Sequence, residues 1–275
     1  MTTFGARVHA AIRDRGPFCA GIDPHGTLLV EWGLGDDVAG LETFALTVAE
    51  AVAPVASVVK PQSAFYERFG SRGIAVLERV VSTCREAGAL VLLDVKRGDI
   101  GSTSQAYADA YLDPASPLAV DAITVSPYLG FGSLTPFVDA ARRHDAGLFV
   151  LALTSNEEGP EVQHATTAGG RPVGGLMLDH LRQLNDGARP LGSFGAVVGA
   201  TIGHVDERFD INGPILAPGY GAQGGTPADL RRIFGAASGS VLASSSRELL
   251  RLGPDHQALA DGVRRANDDL AGLAG

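Results

Sequence analysis

Cysteine is nearly absent from this chain. Cys19 and Cys84 are the only two in 275 residues, they lack metal-ligand spacing, and Cys19 lies in an apolar run, Phe18 to Ile22, that reads as buried strand. A disulfide scaffold and a thiolate metal site are thereby excluded, and both thiols are expected to be reduced. Positive charge is also short. Twenty-two basic residues face 31 acidic ones, for a net charge of -9 and a pI near 5.2, so no basic footprint exists for nucleic acid or an anionic membrane. Any anionic ligand must be held by local groups. No run of about 18 uncharged apolar residues is present to span a membrane, and Met1 to Arg15 lacks the basic start and apolar stretch of a signal peptide. The expected compartment is the cytoplasm. What is plentiful is apolar residue: 45% hydrophobic against 19% charged describes a chain that buries a large core.

Short apolar, β-branched runs recur along the sequence, each ending in polar or turn residues. There are eight: Phe18–Asp23, Ser57–Lys60, Ala89–Lys96, Ala122–Ser126, Leu148–Ser155, Gly195–Thr201, Pro214–Pro218 and Ser240–Ser244. Between them, Leu41–Val52, Gly73–Ala87, Thr103–Leu112, Leu134–Arg143, Leu176–Asn185 and Pro227–Phe234 carry apolar residues at three- and four-residue intervals, as helices do. Runs apolar on both faces imply parallel strands covered by helices, and eight repeats close into a barrel. The predicted fold is a (β/α)8 TIM barrel, one domain over residues 1–275, since the glycine-rich Gly169–Gly175 interrupts a connection without separating two cores. A doubly wound open sheet is the alternative. In both, ligands sit at the carboxyl ends of strands.

The residues there are Asp23, Lys60, Asp94 with Lys96, Ser126, Thr154 with Ser155, Thr201, Pro218 with Gly219, and Ser244 to Arg247. Residues two apart on a strand share a face, so Asp94 and Lys96 should both enter the barrel mouth, while Asp99 lies beyond the strand. A strand-end ion pair would be the plain interpretation. Against it stands the lysine usage: of 22 basic residues only Lys60 and Lys96 are lysines, leaving 20 arginines. Both end predicted strands, and lysine, unlike arginine, can release a proton to neutral-pH chemistry.

After the seventh run, Pro218-Gly-Tyr-Gly-Ala-Gln-Gly-Gly225 faces Ser244-Ser-Ser-Arg247 after the eighth. Backbone amides and one arginine there suit a barrel phosphate site, the plainer alternative being a glycine-rich turn without ligand. Gly219-x-Gly221-x-x-Gly224 also fits the dinucleotide fingerprint, but serines stand where that motif needs an acid about twenty residues on. The seven histidines show no paired helical spacing and Asp23-Pro24-His25 offers too few ligands, so no metal is expected. Ser126 and Ser155 have no histidine partner readable from sequence, and a nucleophilic triad is unsupported.

Leu93-Asp-Val-Lys-Arg-Gly-Asp-Ile-Gly-Ser-Thr103 resembles the signature of the orotidine 5′-phosphate decarboxylase family, in its longer-chain bacterial branch. Gly21 to His25, Lys60 to Phe65, Leu153 to Asn156 and Ala217 to Gly225 resemble further segments of it, in the same order. The resemblance implies cofactor-free decarboxylation of orotidine 5′-monophosphate to uridine 5′-monophosphate, the last step of de novo UMP synthesis. It makes Lys60, Asp94, Lys96 and Asp99 an alternating charge array. In a homodimer Asp99, Ile100 and Thr103 would act across the interface. Asp23 would bind ribose, Ser155 the pyrimidine, and Pro218, Gln223, Ser246 and Arg247 the phosphate end. Lys96 would protonate the carbanion left at ring carbon six. Two other functions fit a barrel of this kind: an Mg²⁺-dependent sugar-phosphate lyase or isomerase using Asp94 as a ligand, and a non-catalytic phosphometabolite-binding barrel.

Overall fold

The computed structural model describes residues 2–203, 206–221 and 224–273. Eight parallel strands close in sequence order: β1 (Phe18–Ile22), β2 (Val58–Pro61), β3 (Leu90–Arg97), β4 (Ala122–Val125), β5 (Gly147–Leu153), β6 (Phe194–Val198), β7 (Ile215–Pro218) and β8 (Val241–Ser245). The ring is completed where Cys19 of β1 pairs with both Val58 and Ser244. The open-sheet alternative is therefore excluded. All eight predicted runs are strands, but the sixth ends at Val198, so Thr201 lies exposed beyond it.

Strand periodicity sorts the side chains into layers. Outward-facing Ala20, Val59, Leu93, Ile123, Val150 and Ala196 pack under the helical shell. Inward-facing Cys19, Val58, Leu92, Ala122, Phe149, Val197, Leu216 and Leu242 fill the barrel. Each fully buried large apolar side chain contributes about 1.5–3 kcal/mol, which is why the runs are apolar on both faces. The six predicted helices all form, within about three residues of their expected bounds.

Of the six further α-helices among the described residues, four are one- to two-turn pieces and two are long. Phe4–Arg15, capped by Thr3, places Phe4, Val8 and Ile12 against the interior layer. Their four-residue spacing is the helical signal that sequence inspection passes over. Phe4 meets Phe149 edge-on at 6.1 Å, and Gly147 is required there, because a Cβ would fall 2.3 Å from the Phe4 ring. This helix plugs the end of the barrel opposite the predicted chemistry. His256–Leu270, capped by Asp255, packs against β1 and the helix Val38–Val52.

Candidate active site

A cavity of about 610 Å³ opens at the carboxyl ends of the strands. Lys60, Asp94, Thr124, Leu151, Gly199, Pro218 and Ser244 line it, and each lies two residues beyond a member of the interior layer. The site is thus the next layer of the barrel, where period-two alternation continues but apolar residues give way to charge. A second hollow of about 640 Å³ lies behind the loop after β7, against the helix His256–Leu270, and holds neither lysine.

Asp94 is the centre of the array. Lys60 Nζ donates to its Oδ2 at 3.3 Å, Lys96 Nζ to both oxygens at 2.7 and 2.8 Å, and Thr124 Oγ1 to Oδ1 at 2.7 Å. Burial pushes the Asp94 carboxyl up, but Lys60, Lys96 and these hydrogen bonds outweigh it and hold the group at about 2. The carboxylate is ionised and its acceptor sites are filled. Lys60 is fully buried: desolvation lowers its pKa, yet Asp23 and Asp94 more than reverse this and hold it above the usual lysine range. Lys96 differs in that its side chain is 46% exposed against 7% for Lys60. An ammonium has three protons, and with two directed at Asp94 the third is available to a molecule in the cavity.

The opposite wall carries acceptors and donors for a polar ligand. Asp23, Ser155, Ser246 and Arg247 all line the cavity. Asp23 Oδ1, Ser245 Oγ and Ser246 Oγ are buried with no partner among the described residues, an unfavourable state that a bound hydroxyl or anion relieves. Gly219, Gly221 and Gly224 have φ of 101°, 71° and 87°, the left-handed region that favours glycine. Tyr220 ties this loop down by donating to Asp269 Oδ2 at 2.6 Å. Gln223 lies outside the described residues.

Three expected residues are not part of this cavity wall. Asp99 accepts from the Ile100 amide at 2.8 Å, Ile100 is 62% exposed, and Thr103 is exposed on the helix Gly101–Leu112. Conversely, Thr124, His25 and Phe65, none of them an expected site residue, line the cavity. His25 lies beside Phe65, ring centroids 4.1 Å apart, and burial lowers its pKa. Thr124 was within reach, since counting by two from Ala122 places it level with Asp94.

Residues 16–261 match the model of the Orotidine 5′-phosphate decarboxylase / HUMPS family. The chain belongs to that family. It is 74% identical over 273 residues to the orotidine 5′-phosphate decarboxylase of a Nocardioides species, covering 98% of this chain and 99% of that one. Identity to the orotidine 5′-phosphate decarboxylase of Streptomyces coelicolor is 62% over 266 residues, 96% of each chain. A crystal structure from Streptomyces avermitilis superposes with a TM-score of 0.98 at 59% identity, covering 100% of this chain and 96% of that one. Membership in the decarboxylase family agrees with the resemblance carried by Leu93 to Thr103.

Proposed function

We propose that this chain is the enzyme that decarboxylates orotidine 5′-monophosphate to uridine 5′-monophosphate and CO₂, the last step of UMP synthesis, with Lys96 as proton donor. The observation that carries the reading is the Lys60–Asp94–Lys96 array in the same cavity as Asp23, Ser246 and Arg247. Phosphate at Ser246, Arg247 and Pro218, and ribose at Asp23 and Lys60, would lay the pyrimidine across the mouth between Ser155 and Asp94. The bond from ring carbon six to the carboxylate breaks, CO₂ leaves, and the electron pair stays on the ring. The free Lys96 proton then forms the new C–H bond, and the neutral amine regains a proton from water. An ammonium fixed beside the developing carbanion stabilises it without reorganising, which is usually the largest catalytic term. Asp94 adds repulsion toward the substrate carboxylate, about 4 kcal/mol at 4 Å and an effective dielectric of 20. That is a small part of the roughly 20 kcal/mol that very slow uncatalysed reactions demand.

The reading includes a cytoplasmic homodimer in which Asp99, Ile100 and Thr103 complete the partner's site. Ile100, Tyr128 and Leu129 support it, as large apolar side chains 62%, 77% and 53% exposed on the loops after β3 and β4. The Mg²⁺ alternative is disfavoured because Asp94 is already saturated by two ammoniums and a hydroxyl, and among the described residues no other acid lines the cavity except Asp23. The test is to mix purified protein with orotidine 5′-monophosphate, with and without excess chelator, and follow the orotate absorbance and CO₂. Turnover that ignores chelator, and its loss in Lys96→Ala with uridine 5′-monophosphate still bound, is the expected result. No turnover by folded protein overturns the reading, and turnover retained in Lys96→Ala overturns the proton donor.

A further inference from the structure

Among the described residues only Lys96, Asp145 and Asn212 combine a side chain with positive φ, and Lys96 sits at 45°. Asp and Asn reach this region with help from their own short polar side chains, whereas a lysine has no such local compensation. Its surroundings must hold it there. The register of β3 on β4 shifts between Leu93 and Arg97, and within that irregular stretch the Lys96 amide donates to a side chain, Thr124 Oγ1, at 2.9 Å. The same hydroxyl gives its single proton to Asp94 Oδ1 at 2.7 Å. On the far side of the strand Arg97 donates to Glu67 at 2.5 Å and to Tyr111 at 3.2 Å, outside the cavity.

We propose that Thr124 is a positioning residue for the reaction: its fully buried hydroxyl joins the backbone of Lys96 to the carboxylate of Asp94 and so fixes where the donating ammonium sits. One oxygen serves both ends, accepting from the strained lysine and donating to the acid that lysine must face. Its proton can go nowhere better, because Asp94 is ionised and accepts only. Valine has nearly the same shape but neither function. In its place Asp94 loses a charged hydrogen bond, the Lys96 amide loses its acceptor, and the backbone is free to leave the left-handed region, moving Nζ. The residues proposed for ribose and phosphate, Asp23, Lys60, Pro218, Ser246 and Arg247, stand on or after strands other than β4, so ligand binding should be little affected.

This inference rests on the decarboxylation proposed above, and its test separates the two. Steady-state kinetics with orotidine 5′-monophosphate would be measured for the wild type, Thr124→Val and Thr124→Ser, with thermal unfolding as a check of the fold. Loss of a hydrogen bond to a charged group predicts a fall in kcat of about 10- to 100-fold for Thr124→Val with KM within about threefold. Thr124→Ser, which keeps the hydroxyl, should return kcat to within about fivefold of wild type. The proposal is overturned if Thr124→Val keeps kcat within about twofold, if the loss falls on KM instead, or if serine is no better than valine. Should Thr124→Val not fold, Thr124→Cys replaces it in the comparison with serine, since a thiol is a weak donor. An inactive wild type would overturn the decarboxylation reading itself, and this one with it.

Discussion

Replacing Asp94 by Asn, alone and together with Lys60→Met, measures how strongly the buried array is coupled. At 3.3 Å the Lys60–Asp94 attraction is about 5 kcal/mol at an effective dielectric of 20. Most of it is offset by the cost of taking both charges out of water. The asymmetry between the partners is therefore the informative quantity. Asp94→Asn leaves two ammoniums without their shared counter-charge, one of them fully buried, and should cost about 3–5 kcal/mol. Lys60→Met leaves Asp94 still held by Lys96 and Thr124, and should cost about 2 kcal/mol. The double variant strands neither member of the Lys60–Asp94 pair and should cost less than the sum of the singles by at least about 2 kcal/mol.

Urea unfolding at pH 7 and fixed protein concentration reads all four corners of the cycle. The pH dependence adds an independent check. The Asp94 carboxyl is lowered from 3.8 to about 2 in the folded protein, roughly two units, or about 2 kcal/mol. A depressed carboxyl stabilises the fold above its unfolded pKa and loses that contribution as pH falls through the folded value. The gap between wild type and Asp94→Asn should thus narrow by about 2 kcal/mol between pH 5 and pH 2. Additivity of the single variants within about 0.5 kcal/mol, or a gap that does not change with pH, would refute the coupled array.

Tyr220→Phe removes the hydroxyl that holds the loop after β7 to Asp269. It should lower stability by about 1–2 kcal/mol and raise KM more than it lowers kcat; thermal unfolding and kinetics with both values unchanged would show that the tether is idle. Ile100→Asp places a charge on the exposed apolar tip after β3. Sedimentation should then report monomer and turnover should collapse, whereas a fully active dimer would rule out that tip as the interface.

The fold was legible because each strand is short, apolar on both faces and bounded by polar residues, a pattern that survives without knowledge of its neighbours. The charge array was legible for a different reason, the retention of lysine at two strand ends in a chain otherwise committed to arginine. Thr124 does not stand out in the sequence because strand ends are where chemistry is expected, and that criterion singles out Ser126. The barrel selects by layer instead, and β4 stops at Val125, so its cavity residue lies inside the strand. Helix Phe4–Arg15 escaped because its apolar face, three residues wide, reads as weak until Phe149 and Gly147 supply the surface it covers. Asp99, Ile100 and Thr103 lie outside the wall of this chain's cavity, which ties the role proposed for them to a second copy of the chain.

Layering also accounts for why Lys96 requires strain when Lys60 does not. Lys60 lies in the cavity layer of a regular strand, paired in register with Gly21, and its extended backbone points Nζ at Asp94 on the neighbouring strand β3. Lys96 is one layer higher on the same strand as Asp94. With extended backbone throughout, side chains two apart run parallel, with their bases about 6–7 Å apart along the strand. The left-handed turn at Lys96 breaks that parallel course and folds the ammonium back onto both carboxylate oxygens. A regular strand would keep the ladder intact and leave Lys96 Nζ extended toward solvent, so the register shift on β4 is the structural cost of the array. The hydroxyl of Thr124 fills the gap that this shift opens.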